Sequence, residues 1–368
     1  MRWFAPAKPP AQREATRAHD VVTDALDSAS VLEVVQHTKP DVIVNELTSL
    51  PKHYTPEEIK AAAARDKEVR VKGNANLLAA ARATNCRRYV LQSSAFWYAP
   101  GPELADETAS FAFDASPGIA AGCRNYADLE AAAQESGLEA VLLRYGFFYG
   151  PGTWFSLEGD VGDQVRRREV PLIGKGEGVW NWVHIDNAAA ATCAALTANP
   201  GVYNVVDDQP VAQSVWLFAF AKLVGAPESP TVSEEEALRN SGPDSVYTPP
   251  GCAELRTRKQ KASWHSVRDR SNGSGCEQAQ WAEEEEHSFL SELHRRAVTR
   301  QTSTDPKHLK AEGKKIGVNL GCVRGGNTVW RAEMAFSVPC FRSLNRKSIC
   351  WMVGKLRVEA LWDPLTDD

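Results

Sequence analysis

The first 72 residues of this 368-residue chain contain no glycine; Gly73 is the first. A strand-to-helix turn in that stretch therefore lacks the residue that lets backbone N–H groups close around a phosphate. The chain also has no apolar run long enough to span a bilayer. Its amino end has no hydrophobic stretch and cleavage site of the secretory kind, so a cytoplasmic location is the expectation. Pro6, Pro9 and Pro10 spoil the amphipathic helix that a transit peptide would need. The eight cysteines include no C-x-x-C pair and no zinc-like spacing to histidine, so reduced structural thiols are expected and no metal. Excess positive charge is missing from the front of the chain as well. Before Gly251, 22 Lys and Arg face 32 Asp and Glu; from Gly251 onward the numbers are 20 and 15. An acidic front part gives no electrostatic reason to expect nucleic acid, and the run from Arg166 to Arg168 reads as a solvated helix face.

What is present is an alternation. Short, nearly unbroken apolar runs stand at "HDVVTDAL", "DVIVNEL", "RYVLQSS", "EAVLLRYG" and "VYNVVDD", each the pattern of a strand buried on both faces. Helical stretches lie between them. Thr55, Pro56 and Glu58 form a capping box with proline at the first helical position, opening a helix that runs toward Ala83 with a break expected near Gly73. Asn125 is placed to cap "YADLEAAAQES", with Gly137 beyond its end. Strict alternation of this kind calls for a parallel sheet with helices on both faces, whose ligands sit at the carboxyl ends of the strands.

Polar and aromatic residues gather at those ends. "RYVLQ" runs into Ser93 and Ser94 and then Phe96, Trp97 and Tyr98; "EAVLLR" runs into "YGFFYGPGTW"; Tyr126 falls between them. A serine hydroxyl and a tyrosine phenol at one cleft can polarise a carbonyl or pass a proton, provided a cation lowers the phenol pKa. A serine pair after a strand also serves as plain turn chemistry.

"YVLQSSAFWYAP", "LRYGFFYGPG", "VWNWVHIDNAAAA" and "GVYNVVDDQP", in this order and spacing, resemble the NAD-dependent epimerase/dehydratase group of the extended short-chain dehydrogenase/reductase superfamily, over roughly Asp20 to Tyr247. The resemblance implies an α/β, Rossmann-like doubly wound parallel sheet with a small substrate lobe, mainly from 151–182 and 209–250. It implies NAD or NADP as cofactor and a small carbonyl or hydroxyl compound as substrate. It makes Ser94 the hydroxyl that orients the substrate and Tyr126 the acid/base. Asp24 would contact the adenine ring, with Ala25, Leu47, Thr48, Ser93 and Tyr145 also at the cofactor. Phe96, Trp97, Phe147 and Trp180 would stand at the substrate, and His184 to Asp186 would be structural. Neither a nucleic-acid partner nor a membrane is implied, and a homodimer is allowed.

Three departures accompany the resemblance. The family's glycine-rich cofactor turn is absent, and "HDVVTDAL" looks like the family's third strand, so the sheet is incomplete at its amino end. Losing the first two strands should leave the third and fourth either to pair directly or to expose unpaired edges, at a cost in cofactor affinity and stability. The family's lysine, four residues after the tyrosine, is here Glu130, which would raise the Tyr126 phenol pKa. The alternative that Tyr126 only packs beside Leu129 stays open. Trp180 stands where nucleotide-sugar enzymes carry a diphosphate-binding arginine, which disfavours such substrates.

Beyond Tyr247 the chain changes character. Residues 251–368 hold five of the eight cysteines, the tetraglutamate from Glu283 to Glu286 and no sustained period. The codons allowed from Thr248 onward, read in another frame, permit a segment like the family's continuation. The expectation is a frame change near Tyr247 and an irregular tail, in which "WRAEMAFSVPCF" and "ICWMVGKLRVEALW" form isolated strands. The alternative is a genuine second domain. Residues 1–19 read as irregular and 20–250 as the nucleotide-binding domain. The functional expectation is an oxidoreductase of this family with impaired catalysis; the alternatives are a non-catalytic dinucleotide-binding or regulatory protein, or an inactive truncated product.

Overall fold

The computed structural model describes residues 18–101, 105–207 and 209–247, together with the strands at 318–322, 330–334, 349–353 and 357–361. From the amino end these residues form β1 (Ala18–Val21), α1 (Ser28–Thr38), β2 (Val42–Glu46), α2 (Pro56–Ala83), β3 (Arg88–Ser94), α3 (Pro117–Gln134), β4 (Glu139–Tyr145) and β5 (Phe147–Tyr149). There follow α4 (Asp160–Arg166), β6 (Leu172–Ile173), β7 (Val179–Trp180), β8 (Trp182–His184), α5 (Ile185–Ala195) and β9 (Gly201–Val205). Then come β10 (Val211–Ala212), α6 (Gln213–Val224), β11 (Thr231–Val232) and α7 (Glu234–Ser241). The last strands are β12 (Val318–Cys322), β13 (Trp330–Met334), β14 (Ile349–Val353) and β15 (Arg357–Leu361).

The main sheet has the order β1-β15-β14-β2-β3-β4-β9, and β14, β2, β3, β4 and β9 run parallel. The alternating pleat divides its side chains between two cores. Ile43, Leu47, Tyr89, Leu91 and Leu142 meet Val31 and Val35 of α1, Leu77 of α2 and Leu129 of α3. Val42, Val44, Val90, Val141 and Leu143 meet Ala188 and Ala191 of α5. Apolar on both faces, the strands read in sequence as unbroken runs because both faces are covered.

Several local expectations are corrected. The first strand is shorter than "HDVVTDAL": Asp24 lies in a turn, and Asp27 caps α1 by accepting from the Ala29 N–H at 3.0 Å. Helix α2 is continuous through Gly73. The glycine is there for packing, since a Cβ would stand 2.5 Å from Leu47 Cδ1. Its cap is as expected in part: Thr55 Oγ1 accepts from the Glu58 N–H at 3.2 Å, while Glu58 reaches back to the His53 N–H. Asn125 is not a cap, because α3 already begins at Pro117, a proline suited to a first turn.

The edge of β2 on the β1 side is neither exposed nor closed by direct pairing of β1 with β2. Strands β14 and β15, from the carboxyl-terminal segments expected to be isolated, lie between them; β14 pairs parallel with β2 from Ile349↔Val42 to Val353↔Glu46. Sheet hydrogen bonding is backbone chemistry, so an available edge accepts any strand of suitable extent. Strands β12 and β13 pair only with each other. The remainder of 251–368, with the tetraglutamate, lies outside the described residues, as does 1–17.

The smaller lobe, built from the pairs β5·β8, β6·β11 and β7·β10 with α4 and α6, centres on Phe155, Trp182, Trp216 and Phe220. Arg166 and Arg167 are spent within this chain, on Asp163 and Glu169. Among the described residues, no helix is long and apolar enough to cross a membrane, and no group of three His, Cys, Asp or Glu is placed to hold a metal ion.

Candidate active site

The carboxyl ends of β2, β3 and β4 gather the residues expected at the site. Ser94, the last residue of β3, pairs in register with Tyr145 of β4. Helix α3 brings Tyr126 to this strand end, near enough to Ser94 for that side chain to lower the phenol pKa. The two hydroxyls expected to act together are therefore adjacent. Burial raises the Tyr126 pKa and Asp66 adds to the rise; Arg70 and the Ser94 side chain oppose it. The Arg70 guanidinium carbon stands 5.6 Å from the Tyr126 ring centroid.

Arg70 is itself fixed. Its Nε donates to Asp66 Oδ2 at 2.8 Å and its Nη2 to Thr48 Oγ1 at 3.0 Å, while Thr48 Oγ1 donates to Asp66 Oδ1 at 2.8 Å. Burial pushes the Asp66 carboxyl up, but Arg70 and hydrogen bonds from Ser49 N–H and Thr48 outweigh it, and the net shift is downward. Arg70 and Asp66 sit one turn apart on α2, so their i, i+4 spacing is the signal in the sequence that would have found them.

Glu130 does not act on Tyr126. Its carboxylate accepts from Arg144 Nε at 2.7 Å and Nη2 at 2.6 Å, a buried two-point pair, and from Ser93 Oγ at 2.5 Å. Arg144 Nη1 donates to Tyr98 OH at 3.0 Å, and Tyr98 donates to Asn204 Oδ1 at 2.5 Å. The expected elevation of Tyr126 by Glu130 is thus replaced by a different cause: the carboxylate is turned toward Arg144, and burial dominates at Tyr126. An arginine inside "EAVLLRYG", apolar on its N-terminal side as far as Glu139, demanded a buried partner, and that demand was legible in the sequence.

The other expected residues are distributed. Asp24 is exposed in the turn after β1, where it accepts from the Leu26 N–H at 3.0 Å. Ala25 and Leu47 are buried against Gly73, Thr48 belongs to the Arg70 cluster, and Ser93 is given to Glu130. The Tyr145 hydroxyl is held by Thr192 at 2.5 Å, on the α5 side of the sheet. Phe96 and Phe147 stack at 4.1 Å between centroids and 14°, and Trp180 adjoins Phe147 at 4.4 Å. Trp97 meets Phe96 edge-on and packs over Gly122. His184 is structural: it caps α5 by accepting from the Asp186 N–H at 3.2 Å.

A family model for the NAD-dependent epimerase/dehydratase family matches residues 4–205. The chain belongs to this family. It is 39% identical over 237 residues to a Streptomyces sp protein named 3-diazoavenalumate denitrifying reductase, spanning 62% of this chain and 77% of that one. In fold it is similar to dTDP-glucose 4,6-dehydratase from Bacillus anthracis in complex with NAD, at 15% identity and a TM-score of 0.54, covering 76% of this chain and 79% of that one. The Bordetella bronchiseptica enzyme WbmH in complex with NAD+ is similar at 19% identity and a TM-score of 0.50, covering 66% and 75%. The protein is thus an oxidoreductase-type member of an epimerase/dehydratase family whose cofactor is NAD(P).

The described residues fit one part of that cofactor better than another. Asp24 is an exposed carboxylate, and Ser94 and Tyr126 bring hydroxyls to one strand end. The turns after β1 and β2, 22–27 and 47–55, contain no glycine to admit a pyrophosphate. Asn45, Leu47, Arg70, Leu91, Gln92 and Leu129 bound a small depression at the strand ends, with about 170 Å³ of empty space, open solvent included.

Proposed function

We propose that the protein is an NAD(P)H-dependent reductase that replaces the diazo group of an aromatic compound by hydrogen. The observation that carries this reading is Glu130: the residue spaced to serve Tyr126 as a cation is a carboxylate committed to Arg144. A reaction without a proton transfer at Tyr126 accommodates that arrangement. A bound reduced nicotinamide would supply a hydride. In the balance of the reaction, the hydride pair becomes the new C–H bond, and the C–N bond pair leaves with dinitrogen. The positive charge of the diazonium is cancelled, and no proton is taken or given. The relative's name supports this chemistry.

In this reading Ser94 and Tyr126 orient the substrate as neutral hydrogen-bond donors, and burial keeps the phenol protonated. Phe96, Phe147 and Trp180 offer a stacked apolar wall that suits a flat ring. Location in the cytoplasm and assembly as a homodimer are part of the proposal. Tyr126→Phe is expected to retain diazo reduction within about fivefold, whereas an acid/base role on a carbonyl substrate would cost about 10²–10⁴. Steady-state NADPH oxidation with a diazo-substituted hydroxycinnamate, and with the matching ketone as control, distinguishes the two.

A second reading is favoured by the glycine-free turns: impaired catalysis, in a chain that keeps the scaffold and binds the dinucleotide weakly or only regulates. Saturating NADPH is expected to raise the melting temperature under the first reading, since ligand at 100 times Kd adds about 2.7 kcal/mol. Unchanged melting at millimolar NADPH, together with no turnover, supports the second.

A further inference from the structure

The family's tyrosine is served by a cation from its own helix, and here that position is Glu130, turned toward Arg144. Arg70 reaches the same phenol from a different element. It projects from α2, its guanidinium carbon 5.6 Å from the Tyr126 ring centroid, and it is clamped by Asp66 and Thr48. Ser94, the last residue of β3, is a neighbour that lowers the phenol pKa slightly. Glu46, at the end of β2, is a second carboxylate near Arg70. We propose that Arg70 is a positioning residue that polarises the Tyr126 hydroxyl, supplying from α2 the positive charge that α3 does not.

The inference rests on the reading of Tyr126 as the donor that orients the substrate, and its physics is local. A fixed cation near a phenol favours the electron-rich form of the oxygen and so strengthens the O–H as a donor. The same cation is attracted to the ring. Asp66 has two opposed effects: it holds Arg70 in place, and its own charge opposes ionisation of the phenol. An arginine cannot lose its proton in this setting, so the polarisation persists at every pH at which the protein is folded.

The test is 3-fluorotyrosine placed at position 126 alone, followed by fluorine NMR as the pH is raised, with neither substrate nor cofactor present. Arg70→Met is expected to weaken the acidity of the labelled phenol at least about tenfold, Arg70→Lys to stay within about threefold of the parent, and Asp66→Asn to strengthen it. A merely structural ion pair would move Arg70→Met and Asp66→Asn in the same direction, because both break it. A common direction, or no change in either, overturns the proposal. Should Arg70→Met lose its fold by circular dichroism, the other two decide: an unchanged or less acidic phenol in Asp66→Asn overturns it. Because nothing turns over in this measurement, failure of the reductase reading leaves its outcome intact. Diazo reduction without these titration differences would remove Arg70's role alone.

Discussion

Glu130→Lys, which writes the family's tyrosine–lysine spacing into the chain, is expected to unfold the protein rather than restore a catalytic pair. In the folded chain the substitution sets an ammonium against the Arg144 guanidinium in a site where both partners are now buried. It also removes the acceptor of the Ser93 hydroxyl. Breaking a buried pair by deleting one partner costs about 3–5 kcal/mol, and like charges add to that. Domain stabilities are typically about 5–15 kcal/mol, so the loss is a large fraction of the total. Glu130→Gln, which keeps the shape and an acceptor, should lose less. Replacing the pair together, with Glu130→Leu and Arg144→Met, should lose less than either charge deletion by itself. Urea midpoints of the parent, these variants and the two single charge deletions, Glu130→Leu and Arg144→Met, give the ranking; a Glu130→Lys variant as stable as the parent would show that the pair contributes nothing.

Glu46→Gln is expected to stabilise the protein at pH 8 and to leave it nearly unchanged at pH 5. Burial pushes the Glu46 carboxyl up from 4.5 to about 8, and the nearby Arg70 offsets only part of the rise. Among the described residues its Oε1 has no hydrogen-bond partner. A carboxyl raised in the folded state binds more protons there than in the unfolded chain between these values. Stability from this group is therefore complete below about pH 4.5 and is lost as the pH climbs toward 8. At about 1.36 kcal/mol per pKa unit, the difference approaches roughly 4 kcal/mol at the alkaline end. Urea unfolding of both proteins at pH 5, 6.5 and 8 should give curves that diverge with pH; parallel curves would mean that Glu46 is solvated and of ordinary acidity.

Both residues show where sequence reading stopped. The apolar runs that became β2, β3, β4 and β9 were legible because a strand covered on both faces must be apolar along its whole length. The cap at Thr55 was legible because it is local chemistry. Ser94 and Tyr126 were found through the resemblance, and the fold does place them together. Arg70 and Asp66 carried a local i, i+4 signal, but what they do depends on Thr48 and Tyr126 on other elements, and Arg144 depends on Glu130, 14 residues away. Charge type says that a partner is needed; only the packing says which one.

By itself the sequence determined the strand–helix alternation, the family, the glycine-free amino-terminal stretch and the absence of a lysine at 130. Each of these is a property of residue type and spacing. The tertiary structure decided the rest. It turned Glu130 from Tyr126 to Arg144, because a buried carboxylate takes the guanidinium that offers two parallel hydrogen bonds. It brought Arg70 across from α2 to Tyr126. It also set β14 and β15 between β1 and β2, since sheet edges pair through backbone groups whose partners no residue-type pattern specifies.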